Sequence, residues 1–160
     1  MTLVLRNALL LDCTGRDPVP ASSVRVDEVG IGRELPHAGA ALIDCGGRTL
    51  MPGLSDAHVH AAIIDTNFWR LRGESPATVA FRIKEILEQT LQAGFTTIRD
   101  AFGLDWGFVQ ATERGYVKGP RILFTGACLS QTGGHRDWRE PYMVDAPLHG
   151  LNGLVAVPRI

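Results

Sequence analysis

No run in this chain approaches the ~20 consecutive apolar residues that a membrane-spanning helix needs, although 45% of its 160 residues are hydrophobic. Net charge is also nearly absent. With 16 Lys and Arg against 17 Asp and Glu, the chain has neither the basic field that draws nucleic acid nor a polybasic patch for a lipid surface. Neither partner is expected. Cysteine is scarce: Cys13, Cys45 and Cys128 are odd in number, far apart and without a CxxC spacing. That excludes a zinc knuckle or redox pair and fits a reducing, cytoplasmic compartment. The apolar stretch Leu3–Leu11 is interrupted by Arg6 and Asn7 and has no small-residue cleavage site after it, so no targeting segment is read. There is no internal repeat and no low-complexity tract. What remains is ordinary globular material, 21% charged, with enough apolar residues to bury a core.

The first fifty residues follow strand logic. Short β-rich runs at 2–6, 8–12, 22–29 and 40–44 are separated by Gly, Pro and Asn, and helical periodicity is missing. Asp44-Cys45-Gly46-Gly47 reads as a turn that reverses the chain into Arg48–Met51 as a hairpin. These features give a small all-β, sandwich-like segment over 1–51. At Pro52-Gly53 the residue types change, and 52–160 alternates strand with helix. Ser75 before Pro76 is a helix start, with Ser as N-cap and Pro where a missing N–H costs nothing. Val79, Ile83, Ile86, Leu87 and Leu91 then form a buried stripe, with Arg82, Lys84, Glu85 and Glu88 facing water and Gly94 as terminator. Phe95–Arg99 is β-branched and aromatic, Asp105–Arg114 a weaker helix stopped at Gly115, and Arg121–Phe124 a third strand. That order calls for parallel pairing, the building unit of an α/β barrel or a doubly wound sheet.

The chemistry gathers at strand ends. In Leu54-Ser55-Asp56-Ala57-His58-Val59-His60, strict alternation would project Asp56, His58 and His60 from one side. Two imidazoles at i and i+2, with Cα atoms ~6.6 Å apart, can converge on one ion at ~2.0–2.1 Å. Five histidines placed at random over this length would give such a pair in roughly one sequence in seven, so the surrounding residues have to decide.

Those residues are Leu50-Met51-Pro52-Gly53-Leu54-Ser55-Asp56-Ala57-His58-Val59-His60. The segment resembles the amidohydrolase superfamily, in which a Pro-Gly-(Leu/Phe)-x-Asp-x-His-x-His run forms the first strand of a TIM-like (β/α)8 barrel and its histidines bind the catalytic metal. Leu5–Ala8 and Ile43–Leu50 resemble the β-segment and lead-in of these enzymes, and Ala93–Asp100 their second strand. Gly133-Gly134-His135 resembles the loop after the third strand in the imidazolonepropionase-like and Xaa-Pro dipeptidase branch.

The resemblance implies a metal-dependent hydrolase of amide or cyclic amide C–N bonds, with His58 and His60 as ligands of a divalent metal, most often zinc. It implies a small amide or peptide-like substrate, such as a dipeptide or N-acyl amino acid. His135 would face the substrate, the alternative being a solvent-exposed loop histidine. Asp56 would orient an imidazole from behind or, alternatively, stabilise a turn. Arg99 and Asp100 stand at a strand's C-terminal end, the active face of such barrels, but read first as a salt bridge or a cap for the following segment; His37 and His149 have no partner spacing and read as surface residues. A barrel of this class needs ~250 residues, so 52–160 would hold about three of eight units, without the carboxylated Lys, the two further His and the proton-transferring Asp that the family places on later strands. The expectation is an N-terminal part of the enzyme, inactive alone and prone to self-associate through its open barrel edge. The alternative is a non-catalytic truncated product that binds metal weakly or self-associates.

Overall fold

The computed structural model describes residues 2–32, 39–66, 71, 73–126, 131 and 134. The chain forms two units, Met1–Pro52 and Gly53–Ile160, each with its own sheet.

The first unit contains β1 (Leu3–Leu10), β2 (Val19–Val26), β3 (Ile31–Gly32), β4 (Ala41–Asp44) and β5 (Thr49–Leu50). They form one sheet in the order β3-β2-β1-β4, with β5 also on β1. β2 runs antiparallel to β1, pairing Leu3 with Val26 and Leu10 with Val19. β4 and β5 run parallel to it, pairing Leu3 with Ala41 and Leu9 with Thr49. The buried apolar residues here are Val4, Ala8 and Val24.

Two expectations are corrected here. The strands expected at 2–6 and 8–12 are one strand, bent at Asn7, whose φ of 56° is a left-handed value that Asn tolerates better than most residues. The hairpin expected at Asp44–Met51 does not form, because β4 and β5 follow β1 in the same direction. The reason lies in the bend. Asn7 displaces the edge of β1, and Gly46 and Gly47, with φ of 59° and 77°, let the partner strand make a matching detour. Its hydrogen bonds are continuous along the detour: Cys45 N–H to the Arg6 carbonyl at 2.8 Å, Gly47 N–H to Asn7 at 2.7 Å, and Leu9 N–H to Arg48 at 3.0 Å. The described residues of this unit form a single sheet.

The second unit alternates β6 (Leu54–Val59), α1 (Pro76–Gln92), β7 (Phe95–Asp100), α2 (Trp106–Glu113) and β8 (Arg121–Phe124). Its three strands are parallel in the order β6-β7-β8, the α/β arrangement expected when helices connect parallel strands. Val79, Ile83 and Leu87 of α1 are buried in one cluster with Ile98, Ile122, Leu71, Leu104 and Val109. Burial of each large aliphatic residue contributes about 1.5–3 kcal/mol. Ile86 is half-buried against this cluster. Arg82 departs from the expected water-facing position. It is half-buried and donates to the Glu74 carboxylate at 2.8 Å and the Ile64 carbonyl at 3.0 Å.

The end of α1 is built as its sequence suggests. Gly94 has φ 95° and donates to the Leu91 carbonyl at 2.9 Å, a left-handed residue closing the last turn. Its start differs in one respect. Ser75 is the N-cap residue in extended conformation, but its side chain makes no capping hydrogen bond. Pro76, as the first helical residue, has no N–H to leave unpaired, and Ser75 engages the helix through its carbonyl, which accepts from Val79 N–H at 3.0 Å.

Candidate metal centre

β6 ends at Val59, and its C-terminal end carries the two histidines. The imidazoles of His58 and His60 lie with centroids 5.0 Å apart and planes at 89°. A ring centroid sits roughly 3.2 Å from an ion bound at ~2.1 Å, so two rings on one tetrahedral ion should be separated by about 5 Å. The observed spacing fits a shared divalent ion. Among the described residues, no group of three or more His, Cys, Asp or Glu is placed to hold one, so the fit concerns two ligands of an incomplete set.

Regular alternation does not run through the whole motif. Asp56 pairs with Ile98 and Val59 with Asp100, so three residues of β6 advance against two of β7. This bulge takes in Ala57 and His58, and it breaks the simple alternation expected to put Asp56, His58 and His60 on one side. Asp56 Oδ1 accepts from the backbone N–H of His58 at 3.0 Å, which puts its carboxylate on the strand backbone.

The neighbouring strand supplies two further contacts. Arg99 Nε donates to the Ala57 carbonyl at 2.6 Å. Asp100, fully buried, accepts from Ala61 N–H at 2.8 Å and from Phe102 and Leu104 N–H, each at 3.2 Å. Burial raises the Asp100 carboxyl above the usual carboxylate range, opposed by the three N–H donors and the nearby His60. The capping role expected for Asp100 is therefore present, but it extends to Ala61, across the sheet. Nδ1 of His60 lies 3.4 Å from the Phe102 carbonyl. Sequence pattern alone did not single out Phe102, because the group involved is a backbone carbonyl. His135, His37 and His149 lie outside the described residues. A cavity of about 520 Å³ between α2 and β8 is lined by Trp106, Val109, Ile122 and Phe124 among others; neither His58 nor His60 lines it.

The model of the amidohydrolase family matches residues 49–152, more than half of the chain and all of β6 to β8. The chain belongs to the amidohydrolase family. Among solved structures of this family's fold, a prolidase complexed with N-methylphosphonate-L-proline superposes with a TM-score of 0.87 at 35% identity, over 98% of this chain and 40% of that one. A Xaa-Pro dipeptidase with bound methionine in its active site gives a TM-score of 0.73 at 23% identity, over 92% of this chain and 39% of that one; at that identity the likeness concerns the fold. Ochratoxinase of Aspergillus niger is 35% identical over 91 residues, 55% of this chain and 19% of its own. The amidohydrolase chain described here thus spans about two fifths of the length of the solved relatives it matches. No helix among the described residues is long and apolar enough to cross a membrane.

Proposed function

We propose that His58 and His60 are the first two ligands of a divalent metal, zinc by preference, in an amidohydrolase that cleaves an amide or cyclic amide C–N bond. The observation that carries this reading is the pair of imidazoles 5.0 Å apart at the C-terminal end of a parallel strand, the end where barrel enzymes build their active sites. When bound, such an ion would supply a water whose pKa is lowered to near 7 and would polarise the carbonyl to be attacked. The chain's own contribution is to orient the two imidazoles and to fix the backbone around them through Asp56, Arg99 and Asp100. Dipeptides and N-acyl amino acids are the proposed substrate class, supported by the N-substituted proline held by the prolidase relative. His135 is proposed to face the substrate, and the cytoplasm is the proposed compartment.

The three parallel strands are proposed to be about three of the eight units of the barrel, with the remaining ligands and the proton-moving carboxylate on strands outside these 160 residues. On this reading the chain alone turns over no amide. A second reading, a non-catalytic product that binds metal weakly or self-associates, is favoured by one observation: the described residues offer two ligands and no third. The test has two parts. Zinc bound by the purified chain should fall in the His58→Ala plus His60→Ala variant, and unchanged stoichiometry would defeat the ligand assignment. Adding a separately produced segment carrying the remaining strands should restore metal-dependent dipeptide hydrolysis if the chain is part of an enzyme; no restoration would leave the second reading.

A further inference from the structure

The bulge in β6 takes the peptide unit joining Ala57 and His58 out of the ladder with β7. Both of its polar groups are met by side chains instead. Its carbonyl accepts from Arg99 Nε at 2.6 Å, and its N–H donates to Asp56 Oδ1 at 3.0 Å. On the far side of the histidine pair, the N–H of Ala61 is held by Asp100 Oδ2 at 2.8 Å. Adjacent residues of one strand therefore grip the neighbouring strand just before His58 and just after His60. Asp100 does more. Its other oxygen takes the N–H groups of Phe102 and Leu104 and so fixes the turn that brings the Phe102 carbonyl to His60 Nδ1.

We infer that Arg99 and Asp100 are positioning residues that set the two imidazoles before metal arrives, a conclusion that rests on His58 and His60 being ligands. Arg99 fixes the peptide that carries His58. Asp100 fixes the backbone beyond His60 and, through the Phe102 carbonyl, the tautomer of His60: a proton on Nδ1 leaves the lone pair on Nε2 for the metal. Ligand histidines generally have their second nitrogen held in this way, and loss of such support lowers metal affinity by about tenfold to a hundredfold.

The experiment is a zinc titration of the full chain against a chromogenic chelator, with denaturant unfolding of the zinc-free proteins alongside. Arg99→Met should lose about tenfold or more in zinc affinity while its unfolding midpoint stays near that of the parent, and Arg99→Lys, which keeps a donor, should recover part of the loss. Affinity retained in Arg99→Met, or falling only in step with stability, overturns the role of Arg99. The His58→Ala plus His60→Ala variant separates the two ideas: if it keeps full affinity the ligand reading fails, and if it alone loses affinity the positioning inference fails. Removing the buried Asp100 carboxylate could unfold the chain, so its arm is read in the parent itself. Ring ¹⁵N shifts of metal-free His60 should report the Nδ1-protonated tautomer, and the Nε2-protonated form would overturn it.

Discussion

At the residue scale, the positions that matter most are held by contacts sequence spacing cannot express. The His58 and His60 pair was legible because two-residue spacing survives the local irregularity of the strand. The roles of Asp56, Arg99 and Ala57 were not, since they follow from a bulge that changes which backbone groups need partners. Gly53 gives a sharper case. A Cβ placed there would fall on the Thr96 side chain, onto Cγ2, Oγ1 and, at 2.7 Å, Cβ itself. Both branches and their root are in the way, so no rotamer of Thr96 clears the space. Gly53→Ala should cost about 1–3 kcal/mol, measured by denaturant unfolding; an unchanged midpoint would show that the backbone yields. Asp44 offers a test in pH. The Gly46 N–H, the Asn7 amide and the Arg6 charge hold its carboxyl below the ordinary range, with desolvation opposing them. A lowered pKa stabilises the fold above the unfolded value and is lost as pH falls through the folded one. Stability should therefore fall as the pH drops below the ordinary carboxylate range, and the fall should be shallower in Asp44→Asn. Equal slopes for the two proteins would remove Asp44 from the account.

At the element scale, the parts governed by local chemistry were readable. The strand at Arg121–Phe124 lies where expected, and α1 begins at the proline and ends before Gly94 because each residue has a strong local preference. The turn at Cys45–Gly47 was misread because two glycines license a reversal and a detour equally well, and the detour follows the bend at Asn7, some forty residues away in sequence. Capping separates the two helices in a testable way. The Asp105 side chain accepts from Gly107 N–H at 2.6 Å, whereas the Ser75 hydroxyl makes no such bond. Asp105→Ala should cost about 1 kcal/mol, while Ser75→Ala should stay within about 0.5 kcal/mol. A larger loss at Ser75 than at Asp105 in parallel unfolding curves would reverse this assignment.

At the scale of the whole molecule, the second sheet has three strands, and among the described residues the outer edges of β6 and β8 have no strand partner. Leu54 and Leu123, on those two strands, are 41% and 48% exposed. Parallel edges with apolar side chains are templates for further pairing, so the 160-residue chain should elute as oligomers whose size grows with concentration. A monomer at every concentration tested would show that its edges are protected. The first sheet meets the same hazard in time rather than in space. β1 pairs on one side with β2, close behind it in sequence, and on the other with β4 and β5, about forty residues downstream. A chain leaving the ribosome N-terminus first carries β1 and β2 with one raw side until Ala41–Leu50 emerges to cover it. Leu50 precedes Leu54, the first residue of the second sheet. The order of translation thus delivers the cover for the vulnerable side of β1 before the strand bearing the histidines has been made.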